Sequence, residues 1–332
     1  MSEAIGRQTP TVSHPTVPKA RRFPTYFLRF SLRTLLLATV ILGLFFGWLG
    51  NLLIRARHQR QIVAHLQNVG AQVVYDYELD SSGRHGDKRS SPRGPWLVRA
   101  LLGQDIYASV AQVFFLKSIV DDDVARLPDL PRLKYVIVDG PGITDHGIEH
   151  LLRVRKLRGL NLSETSVSAD GLRRLRDAAE LEELCLYGAG TTDEQLANID
   201  QLAQLKFLQL VRAKTSSDAL LPISRLQKLE TLLLYQTPGI DDVALRHISA
   251  LKHLRRLELI DTAVTDDGLA LLASLPALEH LVLRICPITD AGMRHIGELN
   301  SLTYLQVATD NVGDAGISHL RNLSSLKILS LS

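Results

Sequence analysis

From Leu133 onward the apolar positions fall into a fixed beat. Leucine opens a unit at Leu133, Leu157, Leu181, Leu205, Leu229, Leu254, Leu278, Leu302 and Leu326, each 24 residues after the last apart from one 25-residue step near Pro238. Within a unit the apolar residues first alternate with outward ones, as in Leu157, Leu160 and Leu162, which is the pattern of a short strand with one face buried. A column further on holds Ile148, Leu172, Leu269, Met293 and Ile317, four residues after Thr144, Ser168, Thr265, Thr289 and Gly313. Thr144, Thr265 and Thr289, each followed by Asp, are helix N-cap signals, so each unit predicts a strand and then a short helix whose core side is that column. Gly147, Gly171, Gly268, Gly292 and Gly316 recur at one position and read as packing space between neighbouring helices.

Self-similarity at this period marks a solenoid, in which no unit buries its apolar face alone and each is stabilised by its neighbours. Eight full copies and a partial ninth span residues 133–332, and "IVDDDVARL" (119–127) parallels "ITDHGIEHL" (143–151), predicting a degenerate cap on the N-terminal side. The chain stops inside the ninth strand with no unit to cover its apolar face, an edge open to self-association.

A different pattern precedes the repeats. Residues 35–54, LLLATVILGLFFGWLGNLLI, form a 20-residue run without an ionisable side chain. As a helix it covers the roughly 30 Å hydrocarbon core of a bilayer. A cleaved signal peptide would have a shorter apolar core and a small-x-small site, and no such site is evident after Leu42, so an uncleaved anchor is the expectation. The expected layout is a disordered basic cytoplasmic tail (1–33), an anchor (34–54), a juxtamembrane and capping region (55–132), and the repeats (133–332). In the third segment, Arg55–Val69 reads as a helix leaving the bilayer, AQVVYDYEL (71–79) as a strand, 81–95 as a loop, Trp96–Leu102 as a short helix and Val113–Phe115 as a strand.

Charge sharpens this layout. The net charge is +3, yet residues 1–60 carry nine Lys and Arg against Glu3, or +8, leaving −5 for the remainder. The positive charge therefore flanks the apolar run and does not form the basic stripe of a nucleic-acid binder. Five cations precede the run within reach and three follow it, which places the N-terminus in the cytoplasm and the repeats outside. Two cysteines, Cys185 and Cys286, make no disulfide framework. They stand four repeats apart, roughly 19 Å at about 4.8 Å per strand, too far to bridge.

The L-x-x-L-x-L unit with its short helix resembles a leucine-rich repeat, and the V/I-T-D-x-G-L second half resembles the cysteine-containing subclass found in F-box-like proteins. The sequence around Phe30–Leu36, Arg55–Gln61 and Gly70–Glu78 is similar to that of membrane-anchored leucine-rich-repeat proteins of planctomycete-type bacteria. The resemblance implies an α/β solenoid, a horseshoe of parallel strands and short helices behind one transmembrane helix. It implies binding without naming a reaction. Cys286 takes the slot of Thr165 and Thr262, where such repeats carry Asn, Cys or Thr to bond neighbouring loops.

On the strand side the outward positions include Tyr187, Phe207, Val211, Leu233, Tyr235, Glu258, Ile260 and Val282, an apolar and aromatic column suited to a protein partner. From these, Tyr187, Phe207, Val211, Leu233, Tyr235 and Ile260 form the candidate site. No metal, cofactor or nucleic acid is expected. The alternative is a structural or self-associating envelope scaffold. Last comes a metallohydrolase, because HGIEH (146–150) spells the H-x-x-E-H of inverted zinc proteases. The register argues against it: His150 aligns with His247, His295 and His319, and Glu149 with Ala270 and Arg294, so each letter belongs to a repeat column.

Overall fold

The structure is a computed structural model and describes residues 32–79, 96, 99–100, 103 and 107–332. Residues 1–31 of the expected tail and the loop at 81–95 lie outside the described residues, as does part of the Trp96–Leu102 helix, while Leu32 and Arg33, expected in the tail, already belong to a helix. Contacts divide the chain into two units, Met1–Gly50 and Asn51–Ser332. Helix α1 comprises Leu32–Asn68, and its apolar part is long and apolar enough to cross a membrane.

The second unit is built on one sheet of eleven strands in chain order. Strand β1 (Ala71–Tyr75) pairs antiparallel with β2 (Val110–Phe115). All later neighbours are parallel: β3 (Tyr135–Asp139), β4 (Gly159–Ser163), β5 (Glu183–Tyr187), β6 (Phe207–Val211), β7 (Thr231–Tyr235), β8 (Arg256–Ile260), β9 (His280–Arg284), β10 (Tyr304–Ala308) and β11 (Ile328–Leu331). One strand and one short helical segment per 24 residues, stacked in this way, make a leucine-rich-repeat solenoid. The 25-residue step is absorbed in the turn after β7, because Tyr235 still pairs with Ile260.

Core leucines stack along the solenoid, Leu160 on Leu184, Leu208, Leu232, Leu257, Leu281 and Leu305, all buried. Each contributes about 1.5–3 kcal/mol by leaving water. The helix side closes the core with Ile148, Leu172, Leu196, Leu220, Leu245, Leu269 and Met293. At the N-terminal end the second half of α1 buries Ile62, Val63 and Leu66 against Ala71, Val110 and Val113. Strand β1 is shorter than its apolar run suggests. Asp76 accepts from the Ser109 amide and Glu78 from the Tyr75 amide, folding the chain into a turn after Tyr75.

The residue after most strands adopts a left-handed conformation, for example Arg212 (φ 56°), Asp261 (φ 57°) and Ile285 (φ 54°). This turn keeps its amide aimed at the next strand: Arg212 N–H donates to Tyr235, Asp261 to Arg284 and Ile285 to Ala308.

A second ladder runs along the helix starts, and it explains the glycine column. The first helical residue of one unit, an aspartate, accepts from both the amide and the hydroxyl of the N-cap residue one unit later. Asp121 bonds Thr144 (2.8 and 2.6 Å), Asp145 bonds Ser168, Asp242 bonds Thr265 and Asp266 bonds Thr289. Thr144 and Thr289 also cap their own helices, whereas Thr265 makes no side-chain cap bond. A Cβ on Gly147 would overlap the Asp121 carboxylate, and one on Gly268 that of Asp242. The space kept by the glycines is thus the seat of the previous unit's carboxylate. Where Ala169 takes the aspartate slot, Gln195 takes the glycine slot and its amide fills the seat, bonding Thr192 and Val167; the units with Ala219 and Ala244 in the glycine slot depart from the pattern, and at Ala219 the preceding Asp193 still bonds Ser216.

Candidate binding face

Strand alternation sends every second side chain away from the core, and the parallel register lines these side chains up in rows. One row, at the C-terminal ends of the strands, runs Asp139, Ser163, Tyr187, Val211, Tyr235, Ile260, Arg284 and Ala308. The pairing therefore brings Tyr187, Val211, Tyr235 and Ile260 together as four consecutive half-buried members of one stripe. Phe207 belongs to the row at the opposite end of the strands, between Glu183 and Thr231, about 13 Å along β6 from Val211. Leu233 lies in the middle row and is only 7% exposed, so it supports the stripe more than it offers contact area.

Both tyrosines are held by neighbours. The Arg212 guanidinium sits 5.6 Å from the centroid of the Tyr187 ring, donates to its hydroxyl at 3.3 Å and pairs with Glu164. Tyr235 donates to the Glu258 carboxylate. Burial, followed by that carboxylate, pushes the Tyr235 hydroxyl pKa above its ordinary range, so it stays a neutral donor. Beyond Tyr187 the face dips into a hollow of about 230 Å³ lined by Phe115, Leu116, Ile137, Asp139, Asn161 and Ser163.

An ionic cluster that the periodicity did not single out lies beside the stripe. Glu258, 4% exposed, is held by Arg256 (Nε to Oε1 2.6 Å), faces His280 at 3.5 Å and accepts from Tyr235. His280 stacks on Tyr304 at 4.0 Å between ring centroids. Burial and then the Arg256 charge lower the His280 pKa below its ordinary value. A signal was present: Arg256, His280 and Tyr304 occupy the same slot in three consecutive units, and Glu258 follows Arg256 by two, on the same face.

The cysteines lie in unlike places. Cys185 is in the middle row, and burial, with Glu183 adding to it, pushes its thiol up to about 12. Cys286 sits in the turn slot beside Thr262 at 3.3 Å, and burial raises its pKa too. A nucleophilic cysteine needs the reverse shift. In HGIEH, helix Asp145–Leu151 places His146 at 3.5 Å from Glu149, whose carboxylate is also paired with Arg174, and the rings of His146 and His150 lie 4.7 Å apart. Among the described residues no group of three His, Cys, Asp or Glu is placed to hold a metal ion.

The stacked unit defines a leucine-rich-repeat solenoid with an aromatic strand-side stripe. No known family profile matches the chain, and no curated protein matches it in sequence. Among solved structures it is similar to an internalin (inlF) from Listeria monocytogenes, at 18% identity and TM-score 0.49, covering 65% of this chain and 58% of that one. It is also similar to internalin C2 from the same organism, at 22% identity and TM-score 0.46, covering 64% and 84%. A third is TLR13 in its complex with ssRNA13, at 18% identity and TM-score 0.46, covering 65% and 34%. The chain thus spans less than two thirds of the first of these, and the fold assignment rests on its own repeat geometry.

Proposed function

We propose that this protein is a membrane-anchored, non-catalytic interaction module that binds a protein partner on the strand-side face of its repeats. The observation that carries the proposal is the unbroken row Tyr187, Val211, Tyr235 and Ile260, with Phe207 and Leu233 on the same face. Apolar patches rimmed by polar groups mark interaction sites, and tyrosines already oriented by Arg212 and Glu258 lose little entropy on binding. Residues 35–54 supply the anchor, with the N-terminus in the cytoplasm by the excess of positive charge before them. The resemblance to membrane-anchored proteins of planctomycete-type bacteria supports the same layout. Photo-crosslinking in cells, comparing the wild type with a Tyr187→Ser, Phe207→Ser, Tyr235→Ser variant, tests the face. Loss of discrete adducts in the variant is expected, and an unchanged adduct pattern overturns the proposal.

A further inference from the structure

The outward row at the strand ends extends one strand beyond Asp139. Leu116 follows the Phe114–Ile137 pair by two residues, as Asp139 does, so the row runs Leu116, Asp139, Ser163, Tyr187 before it reaches the apolar stripe. Two short side chains thus stand between two long ones, with Ile137 and Asn161 paired beside them in the middle row. The face dips there for that reason. Leu116, 68% exposed, and Tyr187 form the two sides of the hollow of about 230 Å³, and they stand three strand spacings or about 14 Å apart.

The polar groups of this hollow are left over by the fold. Neither the Asp139 carboxylate nor the Ser163 hydroxyl makes a salt bridge or a side-chain hydrogen bond among the described residues. The Asn161 Oδ1 is enclosed without a hydrogen-bond partner, which is uncommon in a folded chain and costs stability. The neighbouring cations are directed elsewhere. Arg212 is held by Tyr187 and Glu164. Lys117 extends to the side of β2 away from β3, where a Cβ on Gly70, just before β1, would lie 3.2 Å from its Cδ. Lys134 and Arg158 stand at the opposite ends of β3 and β4, five residues or about 16 Å along the strands. Asp139 therefore lines a hollow with apolar sides and has no counter-charge among the described residues.

We propose that the hollow receives an arginine side chain of the protein partner. The inference rests on the binding-face reading above and names the chemistry of one contact within it. The fork of N–H donors on a guanidinium matches a carboxylate in bidentate geometry, and the Ser163 and Asn161 oxygens supply further acceptors once the Asn161 amide turns toward the ligand. A guanidinium is flat and weakly hydrated, so it tolerates Leu116, Ile137 and the Tyr187 ring beside it better than a compact ammonium does. At about 230 Å³ the hollow is smaller than the roughly 300–1,000 Å³ of small-molecule sites and suits one long side chain. Seated there, the arginine sets the register of the partner, whose adjoining part lies over Tyr187 and the apolar stripe.

The test uses the full chain in detergent micelles and saturation-transfer NMR, with N-acetylarginine amide as the probe and N-acetylcitrulline amide, its neutral isostere, as the control. The arginine probe is expected to give at least about fivefold more transfer than the citrulline one, and Asp139→Asn to bring it down to the citrulline level. Because the Asp139 side chain bonds no other described residue, this variant is expected to melt with the wild type. Asp170→Asn, on the helix side, is expected to leave the arginine signal unchanged. An arginine signal that survives Asp139→Asn, or that equals the citrulline signal, overturns the pocket. A signal from N-acetylglucosamine in place of the arginine probe makes a sugar the occupant and overturns it too. In the cellular crosslinking, Asp139→Asn is expected to remove the discrete adducts of the wild type. Adducts that persist in it but are lost in the Tyr187→Ser, Phe207→Ser, Tyr235→Ser variant overturn the arginine contact and leave the binding face standing. A wild type without discrete adducts overturns the face and, with it, the arginine contact.

Discussion

The aspartate–glycine ladder makes a quantitative prediction, most cleanly at Asp121 and Gly147. The Asp121 carboxylate accepts from the Thr144 amide at 2.8 Å and from its hydroxyl at 2.6 Å, both partly buried. Hydrogen bonds to a charged group are worth about 1.5–3 kcal/mol each when buried, and discounting for partial exposure gives about 2–3 kcal/mol lost in Asp121→Ala. Gly147→Ala adds a methyl group where the carboxylate sits, and its other near neighbour, Ile143, is 3.2 Å away. In this α-helical start the carboxylate has to move and loses the same two bonds, whereas Asp193 keeps both bonds to Ser216 beside Ala219 in a unit that starts as a 3-10 turn. Alanine's better helix propensity returns about 1 kcal/mol, so the net cost is about 1–2 kcal/mol. With Asp121 already removed the methyl group has room. The double variant should then be more stable than Asp121→Ala alone, by up to about 1 kcal/mol. Urea unfolding of the detergent-solubilised chain, followed by circular dichroism, gives all three values. Additive single effects, with the double variant the least stable of the set, would refute the reasoning. The chain holds a natural version of this cycle, since Ala169 in the aspartate slot is followed by Gln195 in the glycine slot.

Two further outcomes follow from single residues. Ile285 is a β-branched residue at φ 54° with 65% of its surface exposed, so its left-handed backbone costs about 1–2 kcal/mol and its side chain recovers little. Ile285→Gly should raise the melting temperature, even after glycine's extra chain entropy of about 0.5–1 kcal/mol; a lower melting temperature would mean that the isoleucine packs usefully. Cys185, with its thiol pushed up to about 12 from 9.0, and Cys286 should resist iodoacetamide at pH 8 in the folded chain and react once urea unfolds it. The fold holds Cys185 protonated, so its contribution to stability is full below pH 9 and is lost as pH rises toward 12; fast alkylation of the native protein would contradict the burial.

Much of the candidate site was legible because it follows from a single period. The 24-residue beat lines up Tyr187, Val211 and Tyr235 as soon as strands are assumed parallel and unshifted, and the pairing has that register. Phe207 and Leu233 share the face but not the row, since they differ in position along the strand, and Leu233 is buried. The Glu258 cluster was harder to see. Arg256, His280 and Tyr304 look like unrelated surface residues until their unit positions are compared, and only side-chain reach decides that Arg256 and Tyr235 both turn toward Glu258. The alternating pattern could not tell the end of β1 either, because Tyr75 through Leu79 still alternate while Asp76 and Glu78 spend their carboxylates on a turn.

Local physics, repeated, is what the amino-acid order determined by itself: strand alternation, helix starts, a leucine core that needs neighbours, and an apolar run of membrane length. Those depend on residues a few positions apart, and a period multiplies them into an architecture. Tertiary structure alone decided what depends on groups a full unit or more apart. It seats the Asp121 carboxylate against Gly147, buries Glu258 among residues of neighbouring strands, and bonds Gln59 to the Ala108 carbonyl. Each of these is a contact of a few ångströms between residues 23 to 49 positions apart along the chain, a distance over which no periodicity specifies which way a side chain turns.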